Sequence, residues 1–356
     1  MSKVEIHKTL IPATRDFLRK NLKAKKIDAV FTLGKAGKGI SYLLITDPDK
    51  MDEAMPFYPL MPENAGALLS KLTFSDKLPD KVAVAIRPCE LHAFVELAKR
   101  AQGAPDNMIF ISPVCDGVVK FDHYKNIDDD EFLLELPNVV EPHMIRPTCK
   151  ICVNFMPMNS DITITSCEKK TAFYANTETG RELASEIGKL YEGDYDEAEC
   201  IPELKKRQIE RRKSFEKLGT MNYDIEGLID KFGRCIGCHG CSHVCPICFC
   251  ALCAFESKEN ELNPENFQDE LEKRGGMRIP TDTVFFHLGR MSHMAFSCVS
   301  CGMCTDTCPA DIPVSMLFAR AGDAAQTLFE YVPGRSYDEE IPLSSFVEDE
   351  LTEVED

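Results

Sequence analysis

Short apolar runs rich in β-branched residues recur along the first half of the chain: Ala29–Leu33, Tyr42–Ile45, Val82–Ile86, Met108–Ile111 and Ile162–Thr165. Each has the length and make-up of a strand. Between them, Ala13–Lys25, Glu63–Lys71 and Glu90–Arg100 place apolar residues three and four apart, the spacing of a helix with one buried face. Pro and Gly clusters at Pro56–Pro62 and Gly103–Pro105 punctuate the pattern. This alternation predicts an α/β domain over residues 1–180. Residues 181–232 read as a charged helical connector. The periodicity then gives way to a frame of cysteines and prolines over residues 233–335, followed by an acidic tail, 336–356, expected to be mobile or laid over a partner.

Composition narrows the class. At 356 residues and 44% hydrophobic, the chain can bury a real core. Its opening, Met-Ser-Lys-Val-Glu-Ile-His-Lys, carries charge where an export signal needs an apolar stretch, and no apolar run is long enough to span a membrane. The expected location is cytoplasmic. A net charge of -17 argues against nucleic-acid binding. The basic run Lys205, Lys206, Arg207, Arg211, Arg212 and Lys213 is the local exception, and its interspersed acids suggest a solvated face or a subunit contact. The 17 cysteines are the outlying feature. Without an export signal they are not expected to form structural disulfides, and metal binding is the natural use.

Most of these cysteines lie between Cys235 and Cys308. Cys235, Cys238, Cys241 and Cys245-Pro246 follow C-x2-C-x2-C-x3-C-P, and Cys298, Cys301, Cys304 and Cys308-Pro309 repeat it without deviation. Two-residue spacers let three thiolates of one tight loop reach three corners of a cubane, while the fourth cysteine is directed at the other cluster. Crossed ligation follows: Cys235, Cys238, Cys241 and Cys308 for one 4Fe-4S cluster, Cys298, Cys301, Cys304 and Cys245 for a second. Gly237, Gly240 and Gly302 suit loops that must curl closely around an inorganic core. Zinc is the competing reading of a C-x2-C pair, but a doubled eight-cysteine pattern ending twice in Cys-Pro is specific for clusters. The fold expected here is a dicluster ferredoxin-like α+β domain whose long inter-motif stretch forms a helical insertion. Cys248, Cys250 and Cys253 open that stretch, either as ligands of a further cluster with a distant partner such as Cys200 or as thiols packed beside the first two. His239, His243, His287 and His293 also lie in this region and are read as neighbours of the clusters rather than ligands.

A third constellation falls in the α/β domain. Val82–Ile86 leads through Arg87-Pro-Cys89-Glu into a helix, and Met108–Ile111 leads to Cys115-Asp-Gly. A right-handed βαβ unit would bring Cys89 and Cys115 to the carboxyl ends of neighbouring strands, the edge where open α/β sheets bind ligands. Cys149 and Cys152 would complete a four-thiolate set for a third 4Fe-4S cluster. A redox-active or zinc-binding C-x2-C beside two unrelated thiols fits the same residues. Cys167, just past the Ile162–Thr165 strand, is a rival ligand.

Longer blocks carry a family resemblance. Arg87-Pro-Cys-Glu, Cys115-Asp-Gly, Cys149/Cys152 followed by Met156-Pro-Met-Asn-Ser-Asp161, Arg234-Cys-Ile-Gly-Cys with its Cys-Pro-Ile-Cys-Phe-Cys continuation, Arg290-Met-Ser-His293 and Asp311-Ile-Pro-Val together resemble the β subunits of formate dehydrogenases that use the deazaflavin coenzyme F420 and of F420-reducing hydrogenases. The resemblance spans Ala29 to Pro333-Gly334. It implies an FAD in the α/β domain, favours the third cluster, and makes Cys248, Cys250 and Cys253 a shared feature of unassigned role. It also implies a catalytic molybdenum or tungsten dehydrogenase subunit, or another redox subunit, as partner. Family members open with a Cys-Gly-Gly stretch that this chain lacks over Ile6–Lys26, which points to a remodelled pocket. Lys35, in Gly34-Lys-Ala-Gly37-Lys-Gly39, and Asn64 are the residues expected near the flavin, with a strand turn and a helix cap as their plainer readings.

Two functions compete on this basis. One is a flavin and iron–sulfur oxidoreductase subunit that exchanges electrons between a soluble carrier and a catalytic partner. The other is a flavin-free wire or docking subunit that links a dehydrogenase to a heterodisulfide-reductase-like complex.

Overall fold

The computed structural model describes residues 2–123, 136, 140–167, 170–193, 200–219, 225–257, 264–276, 280 and 283–342. The predicted tail lies, from residue 343 onward, outside the described residues.

The strands are β1 (Ser2–Ile6), β2 (Ala29–Ala36), β3 (Gly39–Ile45), β4 (Val82–Ala85), β5 (Met108–Pro113), β6 (Ile162–Cys167), β7 (Lys170–Ala175) and β8 (Tyr191–Glu192). They form one sheet in the order β3-β2-β4-β5-β6-β7-β1-β8. Its centre is parallel, from β2 through β6, because helical crossovers join these strands. Its flanks are antiparallel. The Gly34–Gly39 stretch is the tip of the β2–β3 hairpin, its turn at Gly37-Lys38 with Gly37 at φ 60. β1 and β7, which the apolar pattern did not reveal, pair with each other.

Alternation along the parallel strands builds two cores. Val30, Ala83, Ala85, Ile109 and Ile111 point to the face covered by α1 (Leu10–Lys23), where Phe17 stacks on Phe173 with ring centroids 4.6 Å apart. Phe31, Val82, Val84 and Phe110 point to the other face, under α2 (Ala65–Leu72) and α3 (Pro88–Ala98). The sheet is thus the middle of three layers.

The cysteine-rich half packs on the outer side of α3. Ala93 and Leu97 of α3 share a core with Phe215 and Leu218 of the helix Ile201–Gly219, and with Phe286, Met294, Val314 and Phe318. Between the two cysteine motifs lie the helices Pro264–Arg274 and Thr283–Met294. After the helix Val314–Leu328 the chain returns to the sheet domain. Gly334 N donates to Glu96 at 2.9 Å, and Asn159 Nδ2 donates to the carbonyls of Gly334 and Arg335 at 2.9 Å each. Burial opposes ionisation of Glu96, but Tyr331, Lys99, Gly334 and Arg100 outweigh it and hold its pKa below the ordinary value.

This return buries His92. It is 2% exposed beneath the Gly334 turn, and its Nε2 has no hydrogen-bond partner among the described residues. Burial pulls its pKa from 6.5 down to about 4, against the opposing charge of Glu96. The imidazole is therefore neutral in the folded chain, while the unfolded chain takes up the proton below 6.5. The resulting stability is fully present above pH 6.5 and is lost as pH falls to about 4, by about 3 kcal/mol. Urea titrations at pH 7 and pH 4.5 should show this loss, and His92→Leu should flatten the slope. An equal slope in the variant would refute the assignment.

Candidate metal centres

Both cysteine motifs fold alike. In each, the residue before the second cysteine and the residue after it adopt left-handed backbone: Gly237 (φ 65) and His239 (φ 53) in the first, Ser300 (φ 55) and Gly302 (φ 84) in the second. A short helix follows each, Gly240–His243 and Met303–Asp306. The loops curl so that their thiols converge. Cys235, Cys238, Cys241 and Cys308 line one small cavity with His287 and Phe286. Cys245, Cys298, Cys301 and Cys304 line another with Arg290 and Met294. In each cavity the fourth cysteine comes from the other motif. Each set offers four thiol donors and fits a 4Fe-4S cluster. Among the described residues, no group of three or more His, Cys, Asp or Glu is arranged around a single-ion site.

Burial pushes Cys241 and Cys301 up to about 11; Arg290 opposes this at Cys241, and a backbone amide and Arg146 oppose it at Cys301. Such thiols ionise readily only against a metal, which takes the place of the protons. Cys238 is the exposed member of its set. His287, stacked on Phe232, places Nε2 3.4 Å from Cys235 Sγ.

The third set forms at the sheet edge. Cys89 opens α3 directly after β4, and Cys115 follows β5, its amide donating to Phe155 O at 3.0 Å. The Val119–Ile145 bridge and the 2.9 Å bond from Arg146 N to Val118 O bring the short helix Pro147–Lys150, with Cys149, back beside Cys115. Gly117, at φ 108, allows this approach: a Cβ there would lie 3.0 Å from Cys149 Cβ. Burial pushes Cys115 up to about 12; Arg87 opposes it, and Cys149 and Cys152 add to it. Burial likewise raises Cys89, reinforced by Glu90, Cys115, Cys301 and Cys149. Cys89 therefore has both the third set and Cys301 of the second set as neighbours. Cys167 is exposed at the end of β6, in register with Lys170.

Arginines join these sets. Arg146 is 1% exposed; its Nη2 pairs with Asp306 at 2.7 Å and its Nη1 donates to Cys301 O at 2.6 Å. Gly302 makes the space, since a Cβ there would sit 2.3 Å from Arg146 Cδ. Arg207, read from sequence as part of a solvated or subunit-contact run, is instead 5% exposed, donates to Cys115 O at 3.1 Å and lies over the Phe155 ring. Arg211 reaches Ile151 O at 3.3 Å. Only their phase on the helix, in line with Leu218, could have signalled this.

A cavity of 630 Å³ adjoins the third set. It is lined by Thr9, Leu10 and Pro12 at the start of α1, by Arg15, Arg87 and Phe57, and by Cys115, Asp116 and Gly117. Lys35 and Asn64 do not line it. Lys35 is exposed in the β2–β3 hairpin, and Asn64 caps α2, its Oδ1 accepting from Gly66 N at 2.9 Å. Asn64 lies instead beside Cys301, whose pKa it lowers. Of the remaining thiols, Cys248 lies against Cys245, Met294 and Arg290, Cys250 is exposed and Cys253 half-buried.

A mixed α/β sheet carrying one thiol set, joined to paired loops carrying two more, defines an iron–sulfur electron-transfer protein. A family model described as a 4Fe-4S dicluster domain matches residues 231–312. Over most of its length the chain is similar to F420-dependent formate dehydrogenase β subunits. It is 28% identical to that of Methanocaldococcus jannaschii, covering 88% of this chain and 89% of the relative, and 29% identical to subunit beta of formate dehydrogenase 1 of Methanococcus maripaludis, covering 74% of each. Among solved structures, a chain of the F420-reducing [NiFe] hydrogenase complex of Methanosarcina barkeri aligns with a TM-score of 0.43 and 15% identity, covering 61% of this chain and 90% of that one. No helix among the described residues is long and apolar enough to cross a membrane.

Proposed function

We propose that this chain is the flavin and iron–sulfur subunit of a formate-dehydrogenase-type complex, with FAD in the 630 Å³ cavity and three 4Fe-4S clusters leading away from it. The clusters are held by Cys89, Cys115, Cys149 and Cys152, then by Cys245, Cys298, Cys301 and Cys304, then by Cys235, Cys238, Cys241 and Cys308. The observation that carries this reading is continuity: Cys115 belongs to both the cavity wall and the third thiol set, and Cys89 of that set neighbours Cys301 of the next.

The cavity residues suit an anionic dinucleotide. Arg15 and Arg87 present guanidinium groups, α1 begins at the wall, and Phe57, Leu10 and Pro12 offer apolar surface. The volume lies within the range of small-molecule cofactor sites. Flavin supplies the exchange between two-electron and one-electron carriers, and each cluster supplies a one-electron station. The exposed Cys238 makes its set the exit toward a catalytic molybdenum or tungsten partner.

Anaerobic purification with flavin extraction and iron determination tests the reading. About twelve irons and one FAD per chain are expected, from three clusters of four. About eight irons without flavin would overturn it in favour of a wire that links a dehydrogenase to a heterodisulfide-reductase-like partner.

A further inference from the structure

The buried arginines around the thiol sets are not equivalent. Arg87 faces Glu90, Arg146 pairs with Asp306 at 2.7 Å, Arg207 with Glu203 at 2.7 Å and Arg211 with Asp323 at 2.7 Å. Arg290, on the helix Thr283–Met294, is 3% exposed and has no carboxylate within ion-pair distance among the described residues. Its Nη1 donates to Cys241 Sγ at 3.1 Å, and its Nη2 donates to Cys241 O at 3.0 Å and lies 3.6 Å from Cys248 Sγ. The same side chain lines the Cys245, Cys298, Cys301 and Cys304 cavity. It is held between the rings of Phe286 and Phe318, 5.5 and 5.1 Å from their centroids, and its Nε has no hydrogen-bond partner among the described residues.

A buried cation is costly without an anion beside it. The sulfurs that face the Arg290 guanidinium are those of Cys241 and Cys248, and Cys245 lines the same cavity wall. Two of those three thiols belong to the two ferredoxin-motif sets, one to each. Four thiolates around a 4Fe-4S core give a net negative site, and reduction adds one more negative charge. A fixed, uncompensated cation beside such a site favours the reduced state, whereas a cation neutralised by its own carboxylate does so far less.

We infer that Arg290 is the shared potential-setting residue of the two ferredoxin-motif clusters, raising both above the sheet-edge cluster so that reducing equivalents collect at the outer end of the row. This rests on the ligand assignment proposed above. Arg290 acts through Cys241 and through its position at the wall of the second cavity, and is a positioning residue rather than a ligand.

The test is an EPR-monitored potentiometric titration of the anaerobically reconstituted full chain, with signals assigned by their loss in Cys308→Ser and Cys245→Ser. Arg290→Gln should retain iron and lower the reduced-to-oxidised ratio of both outer clusters at fixed potential by about tenfold, which is about 59 mV for a one-electron couple. Arg290→Lys, which keeps the charge, should stay within about threefold of the native ratio. Asp306→Asn, which frees Arg146 of its partner, should shift the neighbouring second and third clusters in the opposite sense. Full iron in Arg290→Gln with unchanged potentials overturns the inference and leaves the ligand assignment standing. Native chain that binds no clusters overturns both. If Arg290→Gln loses its iron, the neutral Arg290→Met takes its place, and unchanged potentials of both outer clusters in that variant overturn the inference while a fall of about tenfold in their reduced-to-oxidised ratio upholds it.

Discussion

Cys308→Ser is expected to lose roughly four irons, and adding Cys235→Ser to it should cost almost nothing more. The two residues lie far apart in sequence and in different motifs, yet they line one cavity. If both serve the same cluster, the first substitution already removes what the second would remove. Combining Cys308→Ser with Cys298→Ser should instead lose roughly eight irons, because Cys298 lines the other cavity with Cys245. Uncrossed ligation, in which each motif keeps its own cluster, gives the opposite pattern. Iron content and the visible absorbance of the three variants distinguish the two arrangements without any assay of activity.

The second large effect is expected at Arg146. Its partner Asp306 is 3% exposed in side chain, so Arg146→Met leaves a buried carboxylate without its cation and Cys301 O without its donor. Removing one member of a buried pair typically costs about 3–5 kcal/mol. Because the pair joins the sheet-edge segment to the second cysteine loop, the loss should appear first as separate melting of the two halves. Arg146→Met with Asp306→Asn should recover a large part of the stability, since the stranded charge is then gone. Denaturant titrations on the four members of this cycle measure the coupling. A single-variant loss below about 1 kcal/mol would mean that water reaches the pair.

Much of the sheet was legible in the chain because its central strands are nearly all apolar, and the βαβ unit that carries Cys89 and Cys115 followed from strand, helix and strand in order. β1 was hidden: Lys3 and Glu5 alternate with Val4, and a five-residue strand with two charges resembles a frayed end. Cysteines were legible for a chemical reason, since few other roles suit so many thiols at such spacing. Arginines were not. Arg207 and Arg290 sit on helices where a positive charge is ordinarily a solvated one, and only the fold shows that they turn inward, Arg207 to the Cys115 carbonyl and Arg290 to the Cys241 sulfur. Lys35 and Asn64 do not line the 630 Å³ cavity, because their local settings are a hairpin and a helix cap.

The segment Tyr331–Arg335 leaves the cluster half and is tied back onto α3 and Asn159. The cluster half is therefore fastened to the sheet domain at its exit, by this strap, as well as at its entry, through the helix Ile201–Gly219. A module anchored twice cannot act as a swinging carrier that visits one donor and then another. Electrons must cross gaps of constant width, so transfer within the chain should be insensitive to solvent viscosity, and any slow, viscosity-dependent step belongs to encounter with a separate molecule.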